Sequence, residues 1–153
     1  MSTRGIQFLK QKDIACEVVT YDHREKGAQF AARAIGFPLS QTIKTLVICL
    51  DAKTYVLVLM SGDRDVSMKK VAKVCGAKRA DMADAASASR LTGYQVGGIS
   101  PFGARKRLPI LMEAGLQQYP EVMINAGRRG IMVKLDPADI VLALDPTVAD
   151  LSL

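Results

Sequence analysis

The chain has 153 residues, a formal net charge of +6 and 49% apolar residues. That length suits one domain spanning residues 1–153 with a core of its own, and the apolar fraction excludes a disordered chain. No apolar run approaches the roughly 18–20 residues a membrane helix needs, and the stretch around Arg4 and Lys10 has no apolar signal core, so a cytoplasmic protein without membrane contact is expected.

A first helix is predicted over 3–12, where Ile6 and Leu9 recur at helical spacing behind a Ser2/Thr3 cap. Cys16 to Tyr21 is β-rich and reads as a strand. Ala28, Ala31, Ala32 and Ile35 mark a short helix that stops at Gly36, with Pro38 just beyond. The apolar runs Ile43–Leu50 and Thr54–Met60, joined by Asp51-Ala52-Lys53, read as a hairpin. Ser67 caps a helix carrying Val71, Val74 and Cys75 that ends at Gly76, and an alanine-rich helix is expected over Ala83–Leu91. Leu108–Met112, Val122–Asn125 and Ile131–Leu135 read as strands. Asp136-Pro137 opens a last helix, with aspartate as cap and proline in the first turn. The mixture lacks a regular βαβ beat, so the expected fold class is α+β: a single domain with a mixed, curved sheet flanked by helices.

The three cysteines, Cys16, Cys49 and Cys75, are odd in number and set among apolar residues, which fits reduced thiols. With one histidine, His23, and no Cys-x-x-Cys or His-x-x-x-His spacing, neither a metal site nor a cofactor is expected. Two basic segments, Lys69/Lys70/Lys73/Lys78/Arg79 and Arg105/Lys106/Arg107, suit a polyanion and equally suit solvated faces.

The most concentrated signal is Gly93-Tyr94-Gln95-Val96-Gly97-Gly98-Ile99-Ser100-Pro101-Phe102-Gly103. Glycine costs backbone entropy and adds no packing, so four glycines in eleven residues mean a positive-φ turn or a loop whose N–H groups approach a ligand. A second turn, Asn125-Ala126-Gly127-Arg128-Arg129-Gly130, adds two arginines. Lys44 opens an apolar run and reads either as a surface lysine at a strand start or as a point charge facing a cavity.

These motifs resemble those of the YbaK/ProX family of freestanding aminoacyl-tRNA deacylases, whose fold also occurs as an editing insertion in prolyl-tRNA synthetases. The match runs through Tyr21-Asp22-His23, Lys44-Thr45-Leu46, Lys69-Lys70-Val71-Ala72-Lys73, Gly76-Ala77-Lys78, Met82-Ala83-Asp84, Thr92 to Gly103, Lys106-Arg107-Leu108-Pro109 and Gly127-Arg128-Arg129-Gly130. It is most similar to the YbaK branch, which clears cysteine mischarged onto proline tRNA. Met132 stands where some YbaK proteins have aspartate, and Asn125 replaces a serine often found before the glycine turn.

The resemblance implies a YbaK-type fold with a barrel-like sheet, and a pocket for the 3′-terminal aminoacyl-adenosine. Lys44 would be the signature lysine of that pocket. Backbone N–H groups of Gly97, Gly98 and Ile99 would stabilise charge on the ester carbonyl. Tyr21, Phe30, Ser100, Pro101, Asn125, Gly127 and Arg129 would bind substrate. For Tyr21 and Phe30 core packing is the plain alternative, and for Ser100 a turn cap. His23, unpartnered at a strand end, is set aside as a base. No serine, cysteine or carboxylate pair is placed to attack, which suits a route in which the thiol of the substrate attacks its own ester. The expected partners are cysteine-charged proline tRNA and, transiently, prolyl-tRNA synthetase. An alanyl-tRNA(Pro) deacylase using water and a non-catalytic RNA- or nucleotide-binding module are the alternatives.

Overall fold

In the computed structural model, which describes residues 2–25 and 27–153, the chain opens with α1 (Arg4–Gln11). The Thr3 hydroxyl accepts the Ile6 N–H at its start. After β1 (Glu17–Thr20) comes α2 (Ala28–Ile35), stopped by Gly36 at φ 79°. The long hairpin β2 (Thr42–Leu50) and β3 (Thr54–Ser61) turns through Asp51 and Ala52, both at positive φ. That strained turn is held by the Asp51 carboxylate, which accepts the N–H groups of Lys78 and Arg79 at 3.0 and 2.9 Å. Then follow α3 (Met68–Cys75), capped by Ser67, β4 (Ala80–Met82), α4 (Ala85–Thr92), capped by Asp84, and β5 (Ile110–Glu113). Finally come β6 (Val122–Arg128), β7 (Ile131–Leu135), α5 (Pro137–Leu144) and β8 (Thr147–Ala149).

The strands form one mixed sheet in the order β1-β7-β6-β2-β3-β5-β8, with β4 paired to β2 off this path. The α+β expectation and the curved sheet therefore hold. The sheet does not close into a barrel, since β1 and β8 remain its two ends. A bulge in β6 between Asn125 and Arg128 contributes to the bend. Two short strands, β4 and β8, escape a sequence reading because three residues carry no periodicity. The helix expected from Ala83 starts at Ala85, because Asp84 serves as its cap and accepts the Ser87 N–H at 2.7 Å.

Strand alternation divides the core. Ile48, Val58 and Met60 pack beneath α3 on one face, while Val47 and Leu57 meet Ala88 and Leu91 of α4 on the other. On that second face α1 and α5 cover a larger cluster containing Leu59, Ile124 and Val133. Among the described residues no helix is long and apolar enough to cross a membrane.

One packing contact was silent in the sequence. Gly5 of α1 lies against the Ala126 carbonyl of β6 so closely that a Cβ there would overlap it, and the Thr3 hydroxyl donates to the same carbonyl at 2.6 Å. Gly5→Ala is expected to cost about 1–3 kcal/mol, the usual range for overpacking. Gly115→Ala, where a Cβ would have ordinary contacts at 3.5 Å or more, is the control. Chemical denaturation of both variants provides the check, and equal midpoints would remove Gly5 from this role.

Candidate active site

β2 has two edges, and they are treated differently. β3 pairs with one of them from Ile43 to Leu50. The other edge is shared: β6 pairs with Thr42 and Ile43 and β4 with Ile48 to Leu50, so no strand covers residues 44–47 between them. A cavity of about 400 Å³ fills this split, a size suited to a small ligand. Its lining comes from both faces of the sheet, with Tyr21, Ala28, Ala31 and Met132 on the α2 side and Val47, Ala88 and Ile99 on the α4 side.

Lys44, Thr45, Tyr21 and Asn125 are the polar side chains of that lining. Among the described residues, Lys44 makes no ion pair and no carboxylate lines the cavity. Thr45 Oγ1 is the one buried side-chain polar atom in the described chain without a hydrogen-bond partner, the kind of orphan that an interior rarely tolerates without a reason. In the sequence Thr45 carries no signal beyond its place in Lys44-Thr45-Leu46. Burial pushes the Tyr21 phenol up, against a smaller opposing pull from the Gly130 backbone, so at neutral pH it is a neutral hydrogen-bond donor.

The glycine loop reaches the cavity at Val96, Gly97 and Ile99. It is tied to the second turn by Asn125, whose Oδ1 accepts the N–H groups of Gly127 and Arg128 at 2.7 and 3.1 Å. The Asn125 Nδ2 donates to the carbonyls of Arg128 at 3.1 Å and Gly97 at 3.4 Å. Arg129 adds two donations to the Val96 carbonyl, at 2.8 and 2.6 Å. The N–H groups of Gly97 and Ile99 have no partner among the described residues.

With that geometry established, likeness to known proteins decides the family. A profile described as an aminoacyl-tRNA editing domain matches residues 24–142. The chain belongs to that family. EbsC of Enterococcus faecalis, provisionally named a Cys-tRNA(Pro)/Cys-tRNA(Cys) deacylase, is 30% identical over 98% of this chain and 93% of its own length. ProXp-y of Escherichia coli, a multifunctional Ser/Thr-tRNA deacylase, is 27% identical over 96% of this chain and 90% of its own. A solved structure described as a candidate trans-editing enzyme for prolyl-tRNA synthetase superposes with a TM-score of 0.89 at 26% identity, covering 100% of this chain and 99% of the other.

Several candidate residues of the editing domain sit elsewhere than expected. Gly98 is buried outside the cavity lining, and its N–H donates to the Gln95 carbonyl at 2.8 Å, so it is not free for a substrate. A Cβ on Gly98 would meet the Arg129 nitrogen at 2.8 Å, so this glycine lets the two loops touch. Ser100 has 0% exposure, and its hydroxyl accepts the Phe102 N–H at 3.1 Å as a turn cap. Pro101 lines a different cavity. Phe30 stands behind Tyr21, ring centroids 6.1 Å apart, without lining the cavity. Gly127, at φ 105°, presses on the Tyr94 ring, where a Cβ would come within 2.6 Å. His23 is exposed beside Gly130 and outside the lining.

Two framing residues went unnoticed in the sequence. Tyr94 is buried and its hydroxyl donates to the Phe102 carbonyl at 2.6 Å. Arg4 lies 5.0 Å from the Tyr94 ring centre and donates to the carbonyls of Thr92 and Gly103. Tyr94 could be suspected as an aromatic among glycines; Arg4 carries no sequence signal at all.

Asn125→Ala is expected to cost about 1–3 kcal/mol, since several loop polar groups lose their partner at once. Faster tryptic cleavage after Arg128 or Arg129 is the measurement, and an unchanged rate would contradict the clamp. Asp84, whose cap starts the α4 wall, is held below the usual carboxylate range chiefly by the Ser87 backbone N–H and then by its hydroxyl. A depressed folded value means the contribution is complete above the unfolded carboxylate range and is lost as pH falls through the folded value. Hydrogen exchange in α4 should therefore speed up on acidification relative to the other helices, and Asp84→Asn should flatten that dependence.

Proposed function

We propose that this domain is a trans-editing deacylase that clears cysteine from mischarged proline tRNA, using the thiol of the substrate as nucleophile. The observation that carries the reading is the lining of the cavity in the β2 split: among the described residues it holds a cation and hydrogen-bond donors, but no cysteine, serine, histidine or carboxylate. An ester bound there meets Lys44, Thr45 and Tyr21, none of them paired among the described residues with a base that would activate it as a nucleophile. The remaining nucleophile is one the substrate brings, and a thiol is a strong one.

The terminal adenosine and its ester would enter the split, with Lys44 near the ester or its neighbouring phosphate. Gly97 and Ile99 would offer N–H groups to the carbonyl oxygen, fixed dipoles that need no reorganisation as charge develops. The substrate sulfur would form a bond to the carbonyl carbon as the ester C–O bond breaks. The departing ribose oxygen takes the proton released by the thiol, and the resulting thiolactone hydrolyses in water to cysteine. The protein supplies position, which by itself can lower a barrier substantially. Burial raises the thiols of Cys16, with a smaller counter-pull from Lys10, and of Cys75, and no protein cysteine lines the cavity. Apolar walls at Ala28, Ala31 and Met132 suit a small, weakly polar thiol.

A second reading takes a hydroxyl-bearing aminoacyl group, with Thr45 Oγ1 as its partner, and is favoured by that orphan hydroxyl together with the likeness to ProXp-y. Water-driven removal of alanine, and binding of RNA without turnover, complete the set. Prolyl-tRNA synthetase is proposed as a transient partner.

The decisive experiment is deacylation of proline tRNA charged with cysteine, S-methylcysteine, serine or alanine. Cysteine should be released rapidly, S-methylcysteine and alanine hardly at all. Fast release of alanine or serine would replace the thiol route. Lys44→Ala should lower turnover by at least about tenfold, roughly 1.4 kcal/mol of transition-state stabilisation, with an unchanged circular dichroism spectrum. Replacing Cys16, Cys49 and Cys75 by alanine should leave turnover intact, and Ser100→Ala should act on stability rather than on rate.

A further inference from the structure

A second cavity, of about 380 Å³, lies beside the first and has no part in the chemistry above. The two share a wall. Val47, which lines the first, is directly opposite Leu57 across β2 and β3, and Leu57 is opposite Ile110 across β3 and β5. Leu57 and Ile110 line the second cavity. Strands lie about 4.8 Å apart, so the two floors are separated by roughly 5–10 Å on the same face of the sheet. Ile99 and Leu108, which pack in the cluster between them, each face one cavity. The chain itself crosses the wall in two residues, from Ile99 on the first cavity to Pro101 on the second, a step of at most about 7 Å.

The second cavity differs in chemistry. Its floor is apolar, with Phe8 half-buried and stacked on the buried Phe102 at 6.1 Å. Its rim carries Lys12, Lys106 and Arg107, all exposed and none in an ion pair among the described residues. No aspartate or glutamate among the described residues lines it. An apolar and aromatic floor under cations without a carboxylate partner suits single-stranded nucleic acid, with a face for a base and charges for its phosphates; Lys12 Nζ, 5.4 Å from the Phe8 ring centre, would swing off that ring to a phosphate. The volume suits a nucleotide-sized group rather than a docked helix.

We propose that this second cavity holds the nucleotide that immediately precedes the terminal adenosine, so that the single-stranded 3′ end of the tRNA lies across both cavities. The inference rests on the placing of the adenosine in the β2 split. It assigns Lys12, Lys106 and Arg107 to the backbone phosphates and the Phe8 side of the floor to a base. The buried Ser100 and Pro101, outside the first cavity, then belong to the wall that separates the two cavities beneath the strand.

The test is titration of the isotope-labelled protein with adenosine and with the trinucleotide cytidyl-cytidyl-adenosine, read by amide chemical shifts. Adenosine should move amides of the first cavity, such as Leu46 and Gly97. The trinucleotide should also move Lys12, Ala104, Lys106 and Leu144, and bind at least about tenfold more tightly at low salt. The double variant Lys106→Glu/Arg107→Glu, at exposed positions, should lose that gain and keep its affinity for adenosine. Shifts confined to the first cavity, or a double variant that binds the trinucleotide like the wild type, would overturn the inference. Deacylation of charged tRNA by a protein whose second cavity shows no shifts would overturn this inference alone. Shifts in both cavities with no deacylation would sustain it and overturn the enzymatic reading instead.

Discussion

The unequal treatment of the two edges of β2 is the constraint on which the rest of the structure depends. One edge is paired along its length, while the other is divided between β6 and β4, which approach from opposite ends and never meet. Backbone polar groups in an interior are normally paired, so a gap in a sheet is costly unless something occupies it. Here the gap becomes the cavity. Lys44 and Thr45 are placed there because they are two of the four residues of β2 that fall between its two partial neighbours, and they project to opposite faces as strand residues must.

Around the gap, most polar groups that sequence alone would offer to a ligand are engaged in holding the loops. Asn125, Arg129 and Ser100 bond to backbone groups of the two turns, and Gly98 and Gly127 leave room for loop and ring to meet. This division has a chemical consequence. A site that stabilises charge with backbone dipoles needs those dipoles fixed before the substrate arrives, and the side-chain bonds provide that rigidity. What stays unengaged in the cavity, among the described residues, is a lysine, a threonine hydroxyl, a tyrosine and two N–H groups. That inventory suits positioning more than proton transfer, and membership of the aminoacyl-tRNA editing family gives it a substrate class.

Legibility differed by the range of the interaction. The helices and the long strands could be read because their signals are local: Thr3, Ser67, Asp84 and Asp136 each cap a helix within a few residues. The two three-residue strands could not, because β4 exists only through its pairing with β2 and β8 only through β5. Lys44, Tyr21, Gly97, Ile99 and Asn125 were found as cavity residues from motif wording. Ser100, Gly98 and Arg129 carry the same wording, yet they support the loops. Residue type and spacing do not say whether an N–H points to a ligand or to the carbonyl of Gln95.

The sequence by itself determined the class of fold, the order of most elements, the two glycine turns and the absence of zinc-type ligand spacing, since all of these follow from local propensity and composition. The tertiary structure alone decided that the sheet stays open, that Gly5 and Arg4 are structural, and that the Thr45 hydroxyl has no partner among the described residues. It also decided that a second cationic cavity shares a wall with the first. Each of these depends on residues distant in sequence meeting at a few ångströms, and no local pattern encodes which of them will meet.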